Sequence, residues 1–363
     1  MPDKHPDPAH LAALSQRIAS ICRKPVIKIA FVTYGYAANF DLASLAEMED
    51  RTLKVRGYSG KDLDASCGPH LDADVLVNAC NVHIAESAFL NRARAARPQQ
   101  VVVSWMFDNH HDELTNLHIA LASDLVFPSH GFCRTYLNNP RSVLAESLPL
   151  CCTQWGELAA ADLYQRFGAG PRANELYGGF VAHDVADRRN RRVRDAMHEV
   201  PEHRIRLFSG AEALEYYGLS PADRFQQWAS YKVSFNPAVR QDLSTRVFDS
   251  LIAGLIPIVP DTTLDLDAVI PPSEQHALPV VRYCEEADGA VVAAWREGLR
   301  RYDADGQAGA DHRHRYALRH HTLPTRLRRI VDTLRDIASE RLQFSVGVHD
   351  QYEGWYGVQT IRI

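Results

Sequence analysis

Short apolar runs rich in β-branched residues recur along this chain, and segments with helical patterning fill the intervals between them. Residues 26–33, 53–58, 74–78, 100–105 and 124–128 read as strands, and 10–22, 40–49, 85–96 and 114–122 read as helices. A strand buried on both faces has no polar side, so an unbroken apolar run marks it better than alternation does. Parallel strands need long crossovers, and helices supply them while covering both faces of the sheet. Few folds other than a doubly wound α/β layer accommodate such a pattern.

A second series begins at 177–183 and continues through 204–208, 232–236, 256–259 and 279–283. Helices are predicted over 188–198, 287–302 and 324–341, and Ser220-Pro221-Ala222-Asp223 has the cap, proline and acid of a helix start. Two such series predict an α/β chain of two doubly wound Rossmann-like domains facing across a cleft. The boundaries expected are 1–155 for the first domain, 156–170 for a linker with its own helix, and 171–335 for the second. Residues 336–363 are expected to be a helix end and tail that pack back on the first domain.

Bulk properties exclude several classes. Hydrophobic residues at 46% and charged residues at 23% are those of a globular protein. A formal net charge of −5 argues against a nucleic-acid partner. No apolar run approaches the roughly 20 residues that span a bilayer, which leaves peripheral membrane association open. The stretch MPDKHPDPAHLAAL lacks a secretory apolar core, and the 7 cysteines are scattered without a C-x-x-C pair. Reduced thiols and a cytoplasmic location are the expectation.

Residues 245–261 carry the densest information. Val247, Phe248, Leu251 and Ile252 recur at helical spacing, Gly254 stands where a helix stops, and 256–259 is a buried strand. Arg246 and Asp249 are three apart and share a face at the helix start. A helix N-terminus with an arginine favours an anion, and a carboxylate beside it accepts bonds from hydroxyl groups. That is the chemistry of a nucleotide-sugar site, and equally the pattern of an ordinary α/β helix with a surface ion pair.

The segment R-x-F-D-x-x-x-x-G at Arg246–Gly254 resembles the donor-site helix of GT-B glycosyltransferases, in particular the bacterial CgeB-like group and its glycosyltransferase group 1-like relatives. His321-Thr322-x-x-x-Arg326 resembles a second motif of that group, and 231–236 (YKVSFN) resembles the strand before its donor helix. The likeness extends over about 210–334. Asp249 stands where the group usually has Glu, and Ser244 where many members have Lys. The resemblance implies a metal-independent glycosyltransferase that moves a sugar from a nucleotide-sugar donor to a glycan, polysaccharide or small-molecule hydroxyl, with no cofactor. It implies donor contacts from Arg246, Asp249, Thr245, Ser244, Gly179, Arg188 and Asn236. A catalytically silent domain that binds a nucleotide sugar or partner protein, and a sugar-nucleotide epimerase, are the alternatives.

Other candidates lie at predicted strand ends, where function concentrates. Residues 104–112 (SWMFDNHHD) follow one strand. Asp108, His110 and His111 are its candidates for the catalytic base; a merely polar loop, or a metal site, fits the same residues. Tyr36, Asn81, His83 and His130 end other first-domain strands and are candidate acceptor contacts, with helix capping as the alternative for Asn81 and His83. Arg188, Arg189, Arg191, Arg192 and Arg194 form a basic helix start suited to a diphosphate or to a solvated face. D-x-D pairs at Asp72/Asp74, Asp265/Asp267 and Asp303/Asp305 read as incidental, and the histidines at 312, 314 and 320 as solvated.

Overall fold

In the computed structural model the described residues are 5–33, 40–60, 68–79, 84–107, 113–182, 187–209, 212, 218–348 and 356–363. The chain forms two compact units: Met1–Pro149 with Arg326–Ile363, and Leu150–Thr325.

The first unit carries strands β1 (Ile27–Thr33), β2 (Leu53–Ser59), β3 (Val75–Ala79), β4 (Val101–Met106), β5 (Leu125–Pro128) and β6 (Val143–Leu144). They are parallel, in the order β2-β1-β3-β4-β5-β6. Helices α1 (Pro8–Cys22), α2 (Ala85–Ala96) and α3 (Glu113–Leu121) accompany them. Val75, Leu76, Val77, Val101, Val102 and Val103 are fully buried, which is why these strands read as unbroken apolar runs. Acids hold the strand starts. Asp124 accepts from Arg17 at 2.9 Å, from Arg94 at 3.1 Å and from the Val102 amide at 2.9 Å. The α-helix expected over 40–49 is a 3-10 helix, Leu42–Met48. Its Glu49 cap is already extended, which cuts the segment short before β2.

The second unit repeats the scheme with β7 (Ala173–Val181), β8 (His203–Phe208), β9 (Tyr231–Phe235), β10 (Ile256–Pro260) and β11 (Val281–Tyr283). These too are parallel, in the order β8-β7-β9-β10-β11. Its longer helices are α4 (Glu157–Phe167), α5 (Asp187–Glu199), α6 (Pro221–Ala229), α7 (Thr245–Ile252) and α8 (Ala290–His320); α9 (Leu323–Ala338) follows. One sheet face packs Leu176, Phe180, Val233, Phe235, Ile256 and Ile258 against α5 and α8. On the other face Trp228 of α6 meets Tyr177 edge-on at 5.1 Å, and Ser250 of α7 bonds Ser234 of β9 at 2.6 Å.

Two regions differ from expectation. Helix α8 continues from the expected 287–302 to His320, passing through Gly306 with φ 57° and ψ −149°. The Asp-Gly-Gln-Ala-Gly run resembles a break, yet it only kinks the helix, and the second half buries Arg313, His314 and Ala317. The histidine segment read as solvated is therefore in part core. After Ala338 the tail forms β12 (Leu342–Val348) and β13 (Tyr356–Arg362), an antiparallel pair. β13 joins β6 in parallel and widens the first sheet to 8 strands. Among the described residues no helix is long and apolar enough to cross a membrane.

Candidate functional site at the carboxyl edge of the second sheet

The order β8-β7-β9 reverses the direction of winding between β7 and β9, and ligands of such sheets lie outside the carboxyl ends at that point. A cavity of about 180 Å³ occupies this edge. Arg188 and Arg189 line it from the start of α5, residues 238–241 from beyond β9, Thr262 from beyond β10 and Glu285 from beyond β11. Arg188 donates to Glu285 at 3.1 Å and to Glu286 at 2.5 Å, and Thr262 donates to Glu285 at 3.1 Å. Arg188 is thus paired with two acids at the rim of the cavity. Arg240 and Gln241 both adopt left-handed backbone, with φ 49° and 69°. Two consecutive non-glycine residues in that region cost about 1–2 kcal/mol each. The loop is held nonetheless, by the Val239 amide on Asp242 at 2.5 Å and the Leu264 amide on the Gln241 carbonyl at 3.0 Å. Strain kept in place by surrounding bonds is a mark of functional loops.

Helix α7 begins beside this edge. Ser244 caps it, its hydroxyl accepting from the Arg246 amide at 3.4 Å, and Thr245 is the first helical residue. Arg246 donates through Nη1 to the Gly179 carbonyl, and its guanidinium lies 4.8 Å over the Phe180 ring. It ties the helix start to β7. Asn236, 3% exposed, donates to the Ser234 carbonyl at 3.1 Å and hydroxyl at 3.0 Å, while its Oδ1 has no partner among the described residues. Ser234 bonds Ser250, which donates to the Arg246 carbonyl at 2.6 Å. A continuous polar chain thus sets the register of α7 on β9.

Asp249 is buried, which leaves no surface ion pair of the kind its spacing from Arg246 also suited. It is 2% exposed and accepts from Gln154 Nε2 at 2.7 Å, and the Cys152 thiol also bonds its carboxyl. Burial raises its pKa to about 6, against the lowering effects of the Cys152 thiol, Gln154, Arg246 and Arg224. Cys152 itself is pushed well above the usual thiol range, first by burial and then by the Asp249 charge. The carboxylate therefore belongs to the underside of α7, three residues from an arginine that faces β7.

The other end of α7 is closed by bases. His314 Nδ1 bonds the Ile252 carbonyl at 2.6 Å, Arg172 donates to Ala253 at 2.9 Å, and Arg313 Nε donates to Gly254 at 3.0 Å. All three satisfy orphan carbonyls of the helix end, and the two arginines, as cations, also complement its dipole. Burial lowers the His314 pKa to about 4 and that of Arg313 to about 10. His321 packs its ring 4.7 Å from Phe248, and its carbonyl accepts from the Cys152 amide at 2.9 Å. His321 of the H-T pair thus packs against α7, and Thr322 forms a parallel bridge with Cys152.

In the first unit, His130 is 1% exposed and its ring lies 5.6 Å from Phe132. Asp108, His110, His111, Tyr36, Asn81 and His83 lie outside the described residues. Nearby strand ends bury Thr33, Asn78, Ser104 and Ser129, with Asn78 donating to Glu86 at 2.9 Å. The D-x-D acids are engaged elsewhere: Asp267 with Arg282, Asp303 with Lys232 at 2.6 Å, Asp305 with Arg313 at 3.7 Å, and Asp74 with Lys24 at 2.6 Å. Among the described residues no three His, Cys, Asp or Glu side chains cluster as a metal site.

Reading the sequence missed Arg240, Gln241, Thr262 and Glu285. Their one visible signal was position, directly after predicted strands. It missed Gln154 as the partner of Asp249 because 95 residues separate them.

No family model matches the chain, and no curated protein does. Solved structures do. Sucrose-phosphate synthase from Thermosynechococcus elongatus superposes with TM-score 0.52 at 10% identity, over 86% of this chain and 100% of that one. A UDP-forming α,α-trehalose-phosphate synthase from Burkholderia vietnamiensis gives 0.49 at 9% identity, over 73% and 72% of the two chains. A UDP-N-acetylglucosamine 2-epimerase from Listeria monocytogenes, described as putative, gives 0.44 at 12% identity, over 87% and 97%. With its two Rossmann-like units of parallel strands, the chain has the α/β architecture of the GT-B fold.

Proposed function

We propose that this chain is a glycosyltransferase of the CgeB-like type, holding a nucleotide-sugar donor at the carboxyl edge of its second sheet. The observation that carries this reading is the cavity at the switch point, where Arg188, Arg189 and Arg240 converge with Thr262 and Glu285 beside the start of α7. Guanidinium groups suit a diphosphate, and a carboxylate with a hydroxyl suits sugar hydroxyls. Arg246 and Asp249 support the site from α7, and Ser244, Thr245, Gly179 and Asn236 fix the edge on which it rests. The acceptor, a glycan or small molecule, and the base among Asp108, His110 and His111 are assigned to the first unit. Arginines in place of a cation would neutralise the leaving diphosphate, so turnover is expected to survive EDTA; loss of activity restored by manganese contradicts this.

Calorimetry with UDP and UDP-sugars tests the site. Arg240→Ala should weaken binding by about 1.5–3 kcal/mol, the range for a hydrogen bond to a charged group. Binding as tight as the parent's would overturn the assignment. Product analysis then separates the chemistries. Sugar transferred to an acceptor supports the reading; an epimerised donor, or binding without any release of nucleotide, supports the alternatives.

A further inference from the structure

A second cavity, of about 330 Å³, lies against the face of the second sheet rather than its carboxyl edge. That volume falls in the usual range of small-molecule sites. It shares no lining residue with the switch-point cavity. In the β7–β8 register Tyr177 stands beside Arg204 and Gly179 beside Arg206. Residues two apart on a strand project to one face, so Arg204, Arg206 and Phe208 form a row. Gly179, with no side chain, leaves the floor beside that row open. Tyr231 stacks on Tyr177 at 4.7 Å and 13° to form a flat wall, and Gln227 of α6 lines the rim.

Among the described residues neither Arg204 nor Arg206 is in an ion pair. The Arg206 guanidinium lies 4.7 Å over the Phe208 ring, and among the described residues no hydrogen bond occupies its N–H edge. Arg204 bonds the Tyr231 hydroxyl, whose pKa is raised first by burial and then by Glu175. The two arginines start about 6.6 Å apart along the strand. A phosphate monoester has three acceptor oxygens and nearly two charges, enough for both forks, whereas a carboxylate fills one. The tyrosine wall and the glutamine amide suit a ring beside it.

We propose that this face cavity is a separate ligand site for a phosphate monoester carried on a ring, with Arg204 and Arg206 holding the phosphate and Tyr231 and Gln227 beside the ring. The ring has two natural sources, a sugar phosphate and a nucleoside monophosphate.

Calorimetry with glucose 6-phosphate and with uridine monophosphate distinguishes the sources and tests the site. At least one should bind the parent, and the double variant Arg204→Gln, Arg206→Gln should bind it at least about tenfold more weakly. Both arginines are exposed, so the double variant should keep the parent's melting temperature. Arg240→Ala, at the other cavity, should leave glucose 6-phosphate binding unchanged. The proposal fails if neither probe binds at millimolar concentration, if the double variant binds as tightly as the parent, or if Arg240→Ala abolishes glucose 6-phosphate binding. UDP binding that persists through such a failure leaves the donor site standing.

Discussion

Asp249 shows most sharply what a single residue's surroundings decide. Its i,i+3 spacing from Arg246 was legible, and so was its place on a helix of the donor type. Its burial was not, because its partners Cys152 and Gln154 lie far from it in sequence. A buried carboxyl with pKa about 6 binds its proton more tightly in the folded chain than in the unfolded one. Stability from this group is full below about pH 4, is lost as pH rises through 6, and is flat above. Asn in its place keeps the oxygen that accepts from Gln154 and removes the charge. Asp249→Asn should therefore gain about 2–3 kcal/mol at pH 8 and lose the slope between pH 4 and 6. Urea unfolding across that range checks it. A variant less stable than the parent at pH 8 would show that the charge is held by more than its present partners.

At the scale of elements, α7 is fixed at both ends by groups distant in sequence. Arg246 and the Ser234–Ser250 pair set its start, and Arg172, Arg313 and His314 close its end. Gly254 joins the two demands. Its φ is 83°, and a Cβ there would come within 3.0 Å of Arg172 Nη2 and 3.2 Å of Ala310 Cβ. Gly254→Ala should cost about 1–3 kcal/mol from left-handed strain and crowding of the cap; a shift under about 0.5 kcal/mol in urea would contradict that account of the cap. The strands and most helices could be read from apolar runs because both sheet faces are covered. The tail strands could not, since β12 is largely exposed and carries no such run. The second half of α8 was obscured by its arginines and histidines, which ordinarily mark solvent. Arg313 is fully buried here because helix carbonyls and the Tyr302 ring await it.

For the whole molecule, two parallel sheets of like winding order place their switch points at carboxyl edges, and the two edges differ in what they offer. That of the second unit gathers arginines, a threonine and a glutamate around a cavity. That of the first buries neutral polar groups at Thr33, Asn78 and Ser129. The sequence made the two series of strands visible, but not which loops converge, since residues 188, 240, 262 and 285 meet only through the sheet order. The claim that the second edge holds the nucleotide is tested most directly by a crystal structure with UDP bound. The account predicts the diphosphate within hydrogen-bonding distance of Arg188 or Arg240, outside the carboxyl ends of β7 and β9. A nucleotide seated instead on the first sheet, or on the face row of Arg204 and Arg206, would contradict it.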